Sequence, residues 1–524
     1  MLTSSFPALV LLLQCATALE VSLPLAAPSN AQKLSQNLLG FSIESDRWPE
    51  WVGISQPNTF WINTLNNLKA LTGKPPIIRV GANSEDRTTF FKSQAQPTIG
   101  TFPAFTATIP YPEALNNTIG QSFYTISQHL PSNTHMIWGL NLGANDTDNA
   151  IAEAQSIITA FNSPALKNKG IKLDMLELGN EPDLYKNNGL RSPNYTVQNL
   201  VNEWNAIAGA VSKALGLVKG KAPSWLALSF AGSDHGAGGF SPQQAFVDGL
   251  LTSAPGQLIS TISQHRYSGS FCAGSEGLLS DLMAKSAVRG NLSVFVPDIA
   301  VTKAQGLIYH LGETNSYACH GAPSVSNTAG AAIWLFDYTL QAAVLGIDQI
   351  YFHEGIGFKY NLMQPVPLNR SILTGEPENT PARVQPAYYS AIAIGEAIGQ
   401  SGQTTISEVQ ISDSHVAGYA VFERGALVRA VFINSQSWPA SSTGARPSVK
   451  IDIGFAAKQG APSKATLKRL AIVHSDDTAN VKWGGQSYET STGLVFGRPV
   501  VDNINIADGF ELSATEAALL RFSA

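Results

Sequence analysis

The chain has 524 residues, 44% hydrophobic and 14% charged, a balance that suits a large folded enzyme and excludes a disordered or fibrous chain. That length predicts two domains rather than one. A formal net charge of −5 argues against nucleic acid as a partner, because nucleic acid demands a basic face; a local basic cleft inside an acidic average remains open.

The chain opens on an apolar run, Leu9-Val10-Leu11-Leu12-Leu13, followed by the small-x-small triplet Ala16-Thr17-Ala18. This predicts a signal peptide over 1–18 and a secreted protein starting at Leu19. The run is shorter than the roughly 20 residues that span a bilayer, and no other segment is apolar enough, so no membrane association is expected. Asn-x-Ser/Thr sequons at Asn116, Asn145, Asn194, Asn291 and Asn369 fit a secretory route and a glycoprotein. Cys15 leaves with the signal peptide, and an oxidising compartment favours pairing the remaining Cys272 and Cys319.

Between residues 36 and 400 strand-like and helix-like segments alternate. Strands are predicted over 39–44, 77–81, 136–142, 173–179, 226–231, 259–267, 306–312 and 349–353. Most are apolar runs between polar or Gly-rich segments, as in strands covered on both faces. Helix-length stretches such as 197–215 and 327–345 carry apolar residues at helical spacing. Together they predict an α/β fold, a (β/α)8 TIM barrel over 36–400. A doubly wound open sheet is the competitor, weakened because no Gly-rich nucleotide fingerprint follows the first strand. Past residue 400, strands over 416–422, 427–433, 448–453, 465–472 and within 503–522 predict a C-terminal all-β sandwich over 401–524. The segment 19–35, with a strand over 21–26, is expected to join that β-domain.

Two short runs carry the chemistry. Leu176-Glu177-Leu178-Gly179-Asn180-Glu181-Pro182 ends the fourth strand, and Leu311-Gly312-Glu313-Thr314-Asn315 ends the seventh. Alternation puts Glu177, Gly179 and Glu181 on one face and the leucines on the other. Barrel active sites sit at the carboxyl rim, where strands four and seven face each other, so Glu181 and Glu313 are expected to converge. A protonated and an ionised carboxylate on opposite sides of one bond is the requirement of glycosidic hydrolysis. No metal-ligand cluster or cofactor motif stands in the sequence, so neither a metal nor an organic cofactor is expected.

Gly179-Asn180-Glu181-Pro182 with a second Glu on strand seven resembles the retaining barrel glycosidases of the four-seven superfamily. More narrowly, the chain resembles glycoside hydrolase family 79, which holds β-glucuronidases and heparanases. Ile78-Arg79-Val80-Gly81 with Asn83 and Asp86, and Gly312 to Ser316 followed by Trp334 and Asp337, carry that likeness. Lys468-Arg469-Leu470 and Trp483-Gly484-Gly485-Gln486 extend it into the tail, while Ala82 stands where a second glycine is common.

The resemblance implies roles. Glu181 would be the general acid and then the base, with a pKa raised by burial and a negative neighbour. Glu313 would be the nucleophile, kept ionised by Arg79 and oriented by the Tyr267 hydroxyl. Asn180 would bond the sugar 2-hydroxyl, and His265 is a supporting candidate. Recognition of a sugar carboxylate would fall to Tyr317, Gly321 and Tyr360, with Lys359 nearby, and Glu44 would hold a hydroxyl of the terminal sugar. The implied activity is retaining hydrolysis of terminal β-linked glucuronic acid, 4-O-methylated or not, from a glycan. A heparanase-like endo enzyme, a neutral-sugar glycosidase and a catalytically dead carbohydrate-binding protein are the alternatives.

Overall fold

The computed structural model describes residues 18–232 and 234–523; the predicted signal peptide lies outside the described residues except for Ala18. Eight parallel strands close into a barrel. They are β1 (Leu39–Glu44), β2 (Ile78–Gly81), β3 (His135–Leu140), β4 (Lys172–Leu178), β5 (Ser224–Phe230), β6 (Ile259–Ser270), β7 (Ile308–Ala318) and β8 (Gln349–Glu354). Strand β8 pairs back onto β1, with Ile350 opposite Leu39, and leaves no free edge. All the predicted barrel strands are present, and the open-sheet alternative falls. The departures lie in β6 and β7, which run on to Ser270 and Ala318 as a paired extension past Glu313.

Side chains alternate along each strand, and the inward face changes character over one period. Ile77, Ile137, Met175, Leu226 and Tyr351 form a separate apolar cluster in the lumen. Two residues further along β2, β4 and β8, the same face presents Arg79, Glu177 and His353, all buried. On β3 the equivalent step is Gly139, whose missing side chain makes room for Glu85: a Cβ there would come within 1.9 Å of the Glu85 carboxylate. The lumen thus passes from an apolar base to a charged upper layer.

The β2–β3 connection carries a small sheet of Thr88–Phe90, Thr98–Thr101 and Asn116–Ile119, which the sequence reading did not anticipate. Helix Val197–Leu215 starts on a reciprocal cap between Thr196 and Asn199. Helix Ala329–Val344 is buried almost all round, because the C-terminal β-domain covers the side a barrel helix ordinarily shows to water.

That domain has two layers. One sheet contains Thr404–Val409, Val416–Glu423, Ala426–Asn434, Glu516–Phe522 and Lys464–Ala471; the other pairs the N-terminal strand Ala18–Leu23 with Ser448–Phe455 and Phe510–Ser513. In Val416–Glu423, Val416, Ala420 and Phe422 meet Val21, Leu23 and Leu512 inside the sandwich. Ala417, Tyr419 and Val421 face the other way, into the barrel's own core. A strand buried on both faces explains that unbroken apolar run. At the same seam, Glu396 accepts hydrogen bonds of 2.7 Å from both Lys468 and the Trp483 indole. No helix among the described residues is long and apolar enough to cross a membrane.

Candidate active site

Arg79 organises the upper lumen. It is fully buried and forks onto Glu177 through Nε and Nη2, both at 2.7 Å. Its remaining N–H groups reach Ser42 at 2.8 Å, Asn180 at 2.8 Å and Glu313 at 3.0 Å. The bidentate grip of Glu177 fixes the guanidinium plane, and that plane aims the other donors. Glu177 was read only as an inward residue; its partner, 98 positions away, is invisible to local pattern.

Glu313 accepts from Arg79 on one oxygen and from the Tyr267 hydroxyl, at 2.7 Å, on the other. Burial pushes its carboxyl up, but the charges of His353, His265 and Arg79, together with the Tyr267 hydroxyl, hold it well below the ordinary carboxylate range. His353, at the end of β8, was not singled out in the sequence, where a lone histidine after an apolar run carries no motif. Its Nδ1 lies 3.9 Å from Glu313 and its Nε2 lies 3.3 Å from Glu44. Burial disfavours its charge, yet Glu313 and Glu44 outweigh this and raise its pKa.

Glu181 sits past the end of β4, with φ 48° and ψ 51°. Strand alternation therefore does not extend to it: Gly179 (φ 85°) already turns the chain, and Pro182 starts a short 3-10 turn. The Glu181 amide donates to the Ser229 carbonyl, and its carboxylate meets Nδ1 of buried His265 at 3.0 Å. Asp183, raised to about 8 by burial and by the charge of Glu181, supplies an acidic neighbour. Glu181, His265 and Glu313 present polar atoms within 4.8 Å of one another. They could converge on a cation, but Arg79 already places a positive charge 3.0 Å from Glu313, and a metal ion would sit against that guanidinium. The donor set suits a proton and a sugar better.

Around this centre, Asn180 keeps its side-chain amide toward Asn83 at 3.3 Å while its backbone N–H is held by Asp86 at 3.1 Å. Asp86 also accepts from the Leu142 and Gly143 amides and the Tyr185 hydroxyl, so it clamps three rim loops. Glu44 has one oxygen committed to the Ser84 amide and hydroxyl, and the other turned toward His353. Tyr360 is buried beside Tyr267, with ring centroids 6.0 Å apart, and Gly321 (φ 88°) lies against the Tyr360 backbone.

Tyr317 has different surroundings from the other candidates. It lies on the β6–β7 extension opposite Gly269, and its ring fills the space that Gly269 and Gly277 leave without side chains. No hydrogen bond or aromatic contact joins it to Glu181, Glu313 or Tyr360 among the described residues. Cys272 and Cys319, at the ends of the same extension, form the predicted disulfide with a Cα separation of 5.3 Å. Lys359 is buried, donates to the Thr108 carbonyl at 3.0 Å, and is lowered to about 8 by burial. Of the sequons, Asn116, Asn145, Asn194 and Asn369 are exposed, whereas Asn291 is half-buried in a helix and bonded to Arg266 and Ala287.

Comparison with known proteins agrees with this architecture. Residues 418–519 match the glycosyl hydrolase family 79 C-terminal beta domain. A curated protein of Aspergillus niger named beta-glucuronidase is 30% identical, over 88% of this chain and 84% of its own length. One of the same name from Neurospora crassa is 28% identical, over 92% of this chain and 89% of its own. Among solved structures, a 4-O-α-L-rhamnosyl-β-D-glucuronidase of Fusarium oxysporum superposes with a TM-score of 0.77 at 24% identity, over 96% of this chain and 100% of that one. The chain belongs to glycoside hydrolase family 79.

Proposed function

We propose that the protein is a secreted, retaining β-glucuronidase that removes terminal β-linked glucuronic acid from a glycan. One observation carries the mechanism: the Glu181 and Glu313 carboxylates approach within 4.8 Å, too close to hold a water and a sugar between them. Retaining glycosidases keep their carboxyls about 5–5.5 Å apart and inverting ones about 6.5–9.5 Å. The names borne by the Aspergillus and Neurospora relatives support the choice of sugar. The Cys272–Cys319 disulfide supports an oxidising compartment.

In this reading Glu313, held ionised, attacks the anomeric carbon while Glu181 gives its proton to the departing oxygen. A glycosyl–Glu313 ester forms and the leaving group departs as an alcohol. Water then attacks the same carbon, Glu181 takes its proton, and Glu313 leaves as a carboxylate with the β configuration restored. His265 holds the Glu181 carboxyl in line, and Arg79 and Tyr267 position the nucleophile. Asn180 offers its amide to the sugar 2-hydroxyl, and Tyr360 and Gly321 line the side assigned to the sugar carboxylate.

The test is hydrolysis of an aryl β-D-glucuronide beside the matching glucoside and galactoside, with Glu313→Gln as control. Preference for the glucuronide, lost in the variant, is the expected result. Cleavage of the neutral sugars at equal rates would overturn the choice of sugar, and full activity of Glu313→Gln would overturn the nucleophile.

A further inference from the structure

His353 stands between two carboxylates with different tasks in the proposed reaction. Glu313, on β7, is the proposed nucleophile, and Glu44, ending β1, is the expected acceptor for a hydroxyl of the terminal sugar. His353 lies near the end of β8, the strand between them, and is buried. The Asn315 side-chain amide donates to its backbone carbonyl at 3.0 Å. The Phe358 and Tyr360 rings pack against it, with centroids 5.8 and 6.1 Å away.

The partners of the two ring nitrogens decide where its protons sit. Nδ1 lies 3.1 Å from the Ser42 carbonyl oxygen, which can only accept, so this nitrogen carries a hydrogen. The Ser42 hydroxyl, 3.2 Å from the same nitrogen, already accepts from Arg79 at 2.8 Å. Nε2 lies 3.3 Å from Oε2 of Glu44. With Nδ1 protonated, a neutral ring would turn the Nε2 lone pair toward a carboxylate. A second proton replaces that repulsion with an ion pair. Oε1 of Glu44 is taken by Ser84, whereas Oε2 accepts no aligned hydrogen bond among the described residues and keeps a lone pair for a ligand hydroxyl. The charges facing the ring are Glu44 on β1, Arg79 on β2 and Glu313 on β7, with Tyr360 as the titratable neighbour beyond β8. The two carboxylates outweigh Arg79 and burial, and favour the charged ring.

We infer that His353 is a positioning residue: as an imidazolium it holds Glu44 and Glu313 ionised side by side, so that sugar binding and the readiness of the nucleophile depend on one shared proton. This rests on the glycosidase reading for the tasks of both carboxylates.

The experiment measures kcat and KM against pH on an aryl β-D-glucuronide for wild type and His353→Gln, which keeps a hydrogen-bond donor but no charge. Without the cation, the acidic limb of kcat/KM, set by Glu313, should move up by at least about one pH unit. KM should rise about tenfold near neutral pH, the scale of one lost charged contact. The wild-type advantage in KM should vanish as pH rises through the ionisation of His353, because the native ring becomes neutral there. A constant ratio between the two proteins at every pH, with an unmoved acidic limb, would make His353 a packed structural histidine. That result would overturn the inference and leave the glucuronidase reading intact. Should no glucuronide be cleaved, or His353→Gln not fold, ring-nitrogen NMR of histidine-labelled wild type decides alone, with His353 assigned through its contacts to Phe358 and Tyr360. Both nitrogens protonated at about pH 7, where an unperturbed histidine is mostly neutral, uphold the imidazolium; one bare nitrogen refutes it.

Discussion

Replacing Tyr267 by phenylalanine removes one oxygen and, with it, one hydrogen bond to Glu313, the proposed nucleophile. The hydroxyl lies 2.7 Å from Glu313 and is the only donor recorded to that oxygen among the described residues. A hydrogen bond to a charged group contributes about 1.5–3 kcal/mol, and one pKa unit corresponds to about 1.4 kcal/mol, so the Glu313 pKa should rise by roughly 1 to 2 units. The sign follows from the folded state: Glu313 sits below the ordinary carboxylate range and is active when ionised, so activity is lost as pH falls through its folded pKa. Loss of the hydroxyl brings that limb to higher pH. The assay is kcat/KM against pH on an aryl glucuronide for both proteins. The expected result is an acidic limb displaced upward by that amount, with the alkaline limb unmoved. An unmoved acidic limb would mean that Tyr267 does not hold the nucleophile ionised, and the argument from Arg79 and His353 would then have to account for it alone.

Glu181→Gln should lose about 10²–10⁴-fold in rate on substrates with poor leaving groups and far less on activated aryl glucuronides, since only the former need the proton; equal losses on both would refute Glu181 as the acid. Glu153, buried and raised to about 8 chiefly by desolvation, is protonated in the fold across a range where an unfolded glutamate is ionised. Its contribution to stability is full below about pH 4.3 and is lost as pH rises through about 8, so Glu153→Gln should shrink the fall in Tm between about pH 5 and about pH 9. An unchanged difference in Tm would show that Glu153 does not titrate this way. Opening the Cys272–Cys319 bridge, which spans 47 positions, should cost roughly 4 kcal/mol by loop-closure entropy, read as a lower denaturation midpoint for Cys272→Ser/Cys319→Ser; an unchanged midpoint would refute it. Peptide mapping of protein from a glycosylating host should find Asn291 bare, because both ends of its amide are bonded inside a helix, and glycan at Asn291 would contradict that packing.

Much of this molecule was written in local pattern. Apolar runs of strand length, repeated with helices between them, were enough to count the barrel strands, because backbone geometry imposes its period on each strand separately. Gly179-Asn180-Glu181-Pro182 marked the proposed acid, and the glutamate after Gly312 marked the proposed nucleophile. Arg79, Tyr267 and His265 became candidates through the resemblance to family 79, which no strand period could have supplied. Val416–Glu423 read as a strand although both its faces are buried, but nothing in it said which face would meet the barrel.

What needed the closed barrel was the pairing. The bonds from Arg79 to Glu177 and to Glu313 join residues 98 and 234 positions apart, and no local period encodes such a distance. The place of His353 between Glu44 and Glu313 exists only because β8 returns to β1. The surroundings of Tyr317 needed the same closure. Its position relative to Glu313 depends on how far β7 stays paired with β6, and Gly269 on the partner strand leaves the space that its ring fills. The residue types alone determined which chemistry was available; the closure of the sheet decided which groups share a hydrogen bond, and therefore which carboxyl is ionised.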